Sequence, residues 1–247
     1  ICEGYIDGVD ARLNDWPLLE NTLFYDQKLI DLLNMAAGDQ RYAGYDLKTN
    51  KYSKNPNNNT IKFHMKNGIF KNTKKSKNKY NYSNVISNIV INYVWHKSDG
   101  NFQKLLDKIF IEKAKVKNDV GFLRMKKKNV EFRYEVNDED GPIRYSFRAS
   151  RYDYLRIVKA MVDDWKNDTC VGKYLKEIYK RKISKNSKKT DPKSANGMSK
   201  SYAGFFHTNY KGINNSRSVM GMVGYGGQII LIDFDQGRII VINSIHT

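Results

Sequence analysis

Apolar side chains recur at helical spacing in five stretches of this chain. Leu29, Ile30, Leu32, Leu33 and Met35 predict a helix over 26–37, closed by Gly38. Val85, Ile86, Ile89, Val90 and Tyr93 predict a second over 83–97, ended by Gly100. A third spans 102–113, with Leu105, Leu106, Ile109 and Phe110 facing inward. Over 151–165, Tyr154, Val158, Met161 and Trp165 share one face, flanked by Leu155 and Val162. A shorter helix follows over 173–182. Strand patterns are fewer. Residues 130–136 alternate, 202–207 read as one strand, and 228–234 with 238–244 form a hairpin across Asp235-Gln236-Gly237, where glycine supplies the positive φ.

The connections are polar or broken. Residues 1–8 read as a helix end running into a glycine turn, and 13–19, with Pro17, as an irregular segment. Residues 40–80 form a long Asn- and Lys-rich loop, 137–142 a turn, and 183–200 a polar loop. No internal repeat is visible. Helices first and an antiparallel hairpin last indicate an α+β fold. The division expected is a single domain over 1–247, with a helical region over about 26–200 and sheet strands over about 201–247.

The chain has 247 residues, of which 40% are hydrophobic, enough to bury a sizeable core. Its formal net charge of +17 favours anionic partners. The lysines, however, gather in polar runs at 71–79, 126–128 and 180–193, and such runs read as solvated loops. Two cysteines, Cys2 and Cys170, are too few for a disulfide framework or a cysteine zinc site, and a single bridge between them stays open. No apolar run is long enough for a transmembrane helix, and no signal peptide is visible.

Two short motifs bear chemistry. Tyr82-Ser83-Asn84 opens the second helix. A phenol there, under the positive end of the helix dipole and beside a cation, can shuttle a nucleophile's proton, and Asn84 can orient an amide. Equally, Asn81 or Ser83 caps the helix while Tyr82 packs against it. Gly224-Tyr225-Gly226-Gly227-Gln228 enters a strand rather than a helix, so it is not a dinucleotide loop. Glycines at a strand start let a substrate approach a backbone N–H that serves an oxyanion, or they mark a bulge. The histidines 64, 96, 207 and 246 show no metal-ligand spacing and read as scattered structural or surface residues. Asp138-Glu139-Asp140 reads as a solvated turn rather than a catalytic pair.

Together, and in this order, the two motifs resemble the second and third elements of the β-lactamase-like serine hydrolases. That family takes in penicillin-binding proteins, class C-like esterases and 6-aminohexanoate-dimer hydrolases. The flanks are similar: Leu32-Leu33-Asn34-Met35-Ala36-Ala37-Gly38 looks like the family's Leu-Leu-x-x-x-Ser-Gly segment with Ala37 for Ser. Residues 103–110 look like the helix after Tyr-x-Asn, 151–155 like a later helix, and 227–233 with 238–242 like the last two strands. The resemblance implies a β-lactamase/transpeptidase-like antiparallel sheet packed with helices, beside an all-helical region. It implies acyl transfer to water through a seryl ester, with no metal or organic cofactor. Tyr82 would be the acid/base and Asn84 its substrate-orienting companion. Tyr225, Gly226, Gly227 and Gln228 would replace the Lys/His-x-Gly triplet and offer the oxyanion N–H.

Tyr225 in place of a cation points away from true β-lactamases, toward esterases or amide hydrolases. The one Ser-x-x-Lys, Ser76-Lys77-Asn78-Lys79, sits in the Lys/Asn-rich loop with no apolar periodicity, so the nucleophile is expected before Ile1, with this chain inactive on its own. A small or oligomeric ester or amide is the expected substrate, with no nucleic acid partner. Two rivals stay open: a non-catalytic binding protein on the same fold, and a basic nucleic-acid-binding domain whose affinity falls steeply with salt. The 17 tyrosines could stack on bases, but most fall on core-like helical faces or singly in loops.

Overall fold

The computed structural model describes residues 1–20, 24–37, 45–46, 51–52, 79–82, 84–99, 101–118, 121–125, 130–132, 145–185, 198–214, 216–224 and 227–243. The chain divides into two compact units. The first takes in residues 3–105 and 121–148, the second Cys2, 106–120 and 149–247. Helices and antiparallel sheets occur together, so the class is α+β. Among the described residues no helix is long and apolar enough to cross a membrane.

The first unit closes on Leu13, Leu19, Phe24, Leu32, Met35, Ile86, Ile89 and Tyr93, all almost wholly buried. The helix expected over 26–37 is only Leu29–Leu33. Asp26 and Met35 both take positive φ, 58° and 55°, which stops a helix on either side. Pro17–Leu19 forms a 3-10 turn inside the segment read as irregular. The Asn84–Ser98 helix matches its pattern and ends at Asp99, φ 42°. Inside the long polar stretch, β1 (Tyr45–Asp46) and β2 (Lys51–Tyr52) pair antiparallel. β3 (Gly121–Met125), β4 (Val130–Phe132) and β5 (Tyr145–Arg148) form a second small sheet in the order β4-β3-β5. Of its three strands only β4 lies in a stretch read as alternating. Gly38, Gly100, residues 133–144 with the Asp138–Asp140 turn, and most of the 40–80 loop lie outside the described residues.

The division between units falls within the third helix. Phe102–Asp107 is α-helical and Lys108–Lys113 is π-helical. Phe102 and Leu106 are buried, as the period requires, but Ile109 is 38% exposed. A π turn holds more residues than an α turn, so the apolar period read over 102–113 loses its phase where the geometry changes. Ile109 therefore does not face inward as expected.

The second unit is two helices against a sheet. Ser150 caps the Arg151–Lys166 helix: its Oγ accepts from Asp153 N at 3.1 Å and donates to Asp153 Oδ2 at 2.7 Å. Val158, Val162 and Trp165 turn inward, and Trp165 stacks on Phe234 with ring centres 4.6 Å apart. Thr169 caps the next helix, Cys170–Lys180, by accepting from Gly172 N. A Cβ on Gly172 would stand 2.0 Å from Asp164 O, so only glycine lets the two helices meet there. Cys2 is bonded to Cys170, with Cα atoms 5.8 Å apart, so the pairing that the sequence left open is made.

The sheet has six antiparallel strands in the order β11-β10-β9-β8-β7-β6. They are β6 (Ile183–Ser184), β7 (Ser199–Ala203), β8 (Phe206–Tyr210), β9 (Val219–Gly224), β10 (Gln228–Asp233) and β11 (Arg238–Ile242). The β10–β11 hairpin turns at Gly237, φ 67°, as expected. The single strand expected over 202–207 is instead the turn of a β7–β8 hairpin. Gly204 and Phe205 both take positive φ, 55° and 71°, and reverse the chain. The 183–200 stretch also contributes strand: Ile183 pairs with Tyr202 and Ser184 with Ser201.

The bridge closes a span of 168 residues. Replacing Cys2 by serine is expected to lower the unfolding free energy by roughly 2–5 kcal/mol. Denaturant titration of the variant beside the parent, with and without dithiothreitol, measures it. A parent midpoint that dithiothreitol leaves in place would mean that the bridge contributes nothing.

Candidate functional site

Tyr82 stands immediately before the Asn84–Ser98 helix, 56% exposed. Asn84 is that helix's first residue, and Ser83 lies outside the described residues. The segment leading in is fixed, because Asn81 N–H donates to Met35 C=O at 2.8 Å. That bond brings the Tyr82 segment against the Leu32–Ala37 segment, 46 positions earlier in the chain. The latter is held in turn where buried Gln27 Nε2 donates to Ala37 O at 2.5 Å.

Further along, the helix is tied down on Asp15. Tyr93 Oη donates to Asp15 Oδ1 at 2.9 Å, and Lys97 pairs with Oδ2 at 2.5 Å. Burial pushes the Asp15 carboxyl up, but the Lys97 and Tyr93 hydrogen bonds outweigh it and hold the group below the ordinary carboxylate range. His96 stacks on Trp16, ring centres 5.7 Å apart, and so has a structural place. Burial, with the neighbouring Tyr82 phenol adding to it, pushes the Tyr80 phenol above its ordinary range.

The glycine-rich motif closes the β9–β10 hairpin. Gly224 and Gln228 are cross-strand partners, and Gly227 takes φ 78°. Tyr225 and Gly226 lie outside the described residues. Gly227, left-handed just before β10, supplies the backbone conformation that hairpin connections favour. A Cβ on Gly224 would come within 3.1 Å of Gln228 Oε1, a contact that a small shift of that exposed side chain relieves. Gly227 and Gln228 are exposed. Tyr82 and Asn84 belong to the first unit and Gly224–Gln228 to the second. Ser76-Lys77-Asn78-Lys79 lies outside the described residues except for Lys79, as do His64 and His246.

The sequence reading missed one cluster. Lys185 Nζ donates to Ser199 Oγ at 2.6 Å and lies 3.1 Å from His207 Nδ1, which is also 3.1 Å from Ser199 Oγ. All three residues are buried, at 7%, 3% and 5% exposure. Lys185 was counted among solvated lysines and is instead buried, while His207, read as a structural or surface histidine, is a buried structural one. Lys185 continues the Ile183–Ser184 strand beside β7: its N–H donates to Lys200 C=O at 2.9 Å, which draws its side chain in. Burial lowers the Lys185 amine to about 8. Burial, followed by the charge of Lys185, lowers the His207 imidazole to about 4.

A serine hydroxyl beside a desolvated amine is the arrangement that activates a nucleophile. Two facts separate this one from the glycine-rich turn. Ser199 Oγ is shielded from solvent. Ser199 also opens β7, whereas Gly224 ends β9, which runs in the same direction. By the strand register Ser199 lies level with Ser218, so it and Gly224 stand about 20 Å apart along the strands, at about 3.4 Å per residue, and cannot act on one carbonyl. The cluster satisfies its own polar groups and cross-links β6, β7 and β8. Among the described residues, no group of three or more His, Cys, Asp or Glu side chains is placed to hold a metal ion.

The buried imidazole has a direction in pH. His207 is neutral in the fold down to about 4, while the unfolded chain takes up the proton near 6.5. Stability from this group is complete above about 6.5 and is lost as pH falls toward 4. His207→Gln is expected to flatten that part of the stability curve, measured by denaturant titration between pH 7 and 4.5. Parallel curves for variant and parent would remove His207 as the source. Compared with protein-family models and with curated proteins, the chain matches none.

Proposed function

We propose that this protein is a serine hydrolase of β-lactamase-like type, acting on an ester or amide through an acyl-enzyme. The observation that carries the reading is the hydrogen bond from Asn81 to Met35. It places the residue just before Tyr82-Ser83-Asn84 on Met35 of the Leu32–Gly38 segment, so two of the segments on which the family resemblance was drawn come close within one unit. It also leaves the Tyr82 phenol exposed at a helix mouth, where proton transfer needs it. The α+β class and the exposure of Gly227 and Gln228 at the start of β10 are compatible with the remainder.

In this reading Tyr82 starts as the phenolate: a seryl oxygen attacks the carbonyl carbon and its proton passes to the Tyr82 oxygen. Asn84 holds the substrate amide. The family resemblance assigns the oxyanion N–H to the Tyr225–Gln228 stretch of the sequence. The tetrahedral intermediate collapses to the seryl ester as the leaving group takes a proton from Tyr82. Water, deprotonated by Tyr82, then releases the acid. Ser199 is not the nucleophile, because its oxygen is buried and distant from the glycine turn.

The test is hydrolysis of p-nitrophenyl acetate by the protein as the cell makes it, with fluorophosphonate labelling to locate the acylated serine. Tyr82→Phe is expected to lower kcat by about 10²–10⁴-fold with little change in KM, and the label maps to a serine other than Ser199. Equal kcat in parent and variant would sink the role of Tyr82. Absence of both labelling and turnover would leave a binding protein on this fold.

A further inference from the structure

A second candidate site lies wholly within the second unit. A cleft of about 700 Å³ opens between the segment after the π turn and the Arg151–Lys166 helix. That volume is in the range of small-molecule sites. Five cations line it: Lys113, Lys115, Lys117, Arg156 and Lys159. Two carboxylates, Asp163 and Asp164, line it too, so the lining keeps an excess of positive charge. Asp163 pairs with Lys159 at 2.5 Å, and Asp164 Oδ1 accepts from Thr169 Oγ1 at 2.6 Å. The floor is apolar, formed by Ala114, Ala160, Val171 and the Cys2–Cys170 bridge.

The cleft is built rather than a chance crowding of lysines. Asp153, wholly buried behind it, accepts from Lys117 N at 3.0 Å, Asn118 Nδ2 at 2.6 Å and Arg156 Nη1 at 2.7 Å. One carboxylate thus fixes the chain that presents Lys115 and Lys117, and also the guanidinium that faces them. Lys115 is held at φ 56° on this path. Like charges brought together in a concave site raise one another's energy, and an anion bound among them relieves it.

We propose that this cleft binds a small organic molecule bearing two or more anionic oxygen groups, phosphate or carboxylate, with its carbon frame on the apolar floor. The site is separate from the residues assigned to acyl transfer and does not rest on that assignment.

Isothermal titration at about 0.1 M salt, where exposed charges are screened beyond ~10 Å, tests this with three probes. Fructose 1,6-bisphosphate stands for phosphate, citrate for carboxylate, and a single-stranded oligonucleotide for a general polyanion. Saturable one-to-one binding of the first or the second is expected, and whichever binds names the group. The double variant Lys115→Ala/Lys117→Ala should bind at least roughly tenfold more weakly. A control variant, Lys200→Ala/Lys211→Ala, changes exposed lysines elsewhere on the unit and should bind as the parent does. If the double variant has a lowered melting midpoint, Lys115→Gln alone repeats the measurement with a folded chain. The proposal is overturned if neither small probe saturates, if the control loses as much affinity as the cleft variant, or if only the oligonucleotide binds.

Discussion

One buried carboxylate organises the second unit. Asp153 has no exposed surface, and a charged group there would cost several kcal/mol if its oxygens went unmet. Burial pushes this carboxyl up. The hydrogen bonds from Lys117, Ser150, Asn118 and Arg156 overcome that and hold it far below the ordinary range. The group serves three ends at once. It completes the reciprocal cap with Ser150 that starts the Arg151–Lys166 helix, it pins the chain at Lys117 and Asn118, and it aims Arg156. The helix so started delivers Trp165 to Phe234, which joins it to the end of the sheet.

How much of this was legible depended on whether a local signal decided the structure. The Arg151–Lys166 helix was, since its cap and apolar period are both written in consecutive residues. So was the β10–β11 hairpin, marked by Gly237. The Leu29–Leu33 helix came out shorter than its pattern because Asp26 and Met35, neither of them glycine, take left-handed backbone. Phe205 is a similar case: a bulky residue at positive φ concealed the turn that splits one apparent strand into two. The π turn at Lys108–Lys113 displaced Ile109 without changing the apolar spacing.

The chemistry was less legible than the fold, for a physical reason. Tyr82 and Gly224–Gln228 are local motifs, and their neighbours in sequence place them. The Lys185, Ser199 and His207 side chains meet through pairing between strands, and a lysine inside a lysine-rich run has the same composition whether it is solvated or drawn into a sheet. A hint lay in the alternation of Ser199 and Ser201 with Lys200, which is a strand period ahead of the expected strand. The cleft cations were hidden in the same way, since Lys113 ends the helix expected over 102–113 and Lys115 and Lys117 follow it in a stretch with no pattern of its own.

The Cys2–Cys170 bond joins the second residue of the chain to a helix start 168 positions away. Everything between them, including the lysine-rich stretches at 71–79 and 126–128 that trypsin would favour, hangs on a covalent ring. A single cut inside that ring opens it without parting the pieces. Such a nicked molecule keeps its full mass until the bridge is reduced, and only then separates into two fragments.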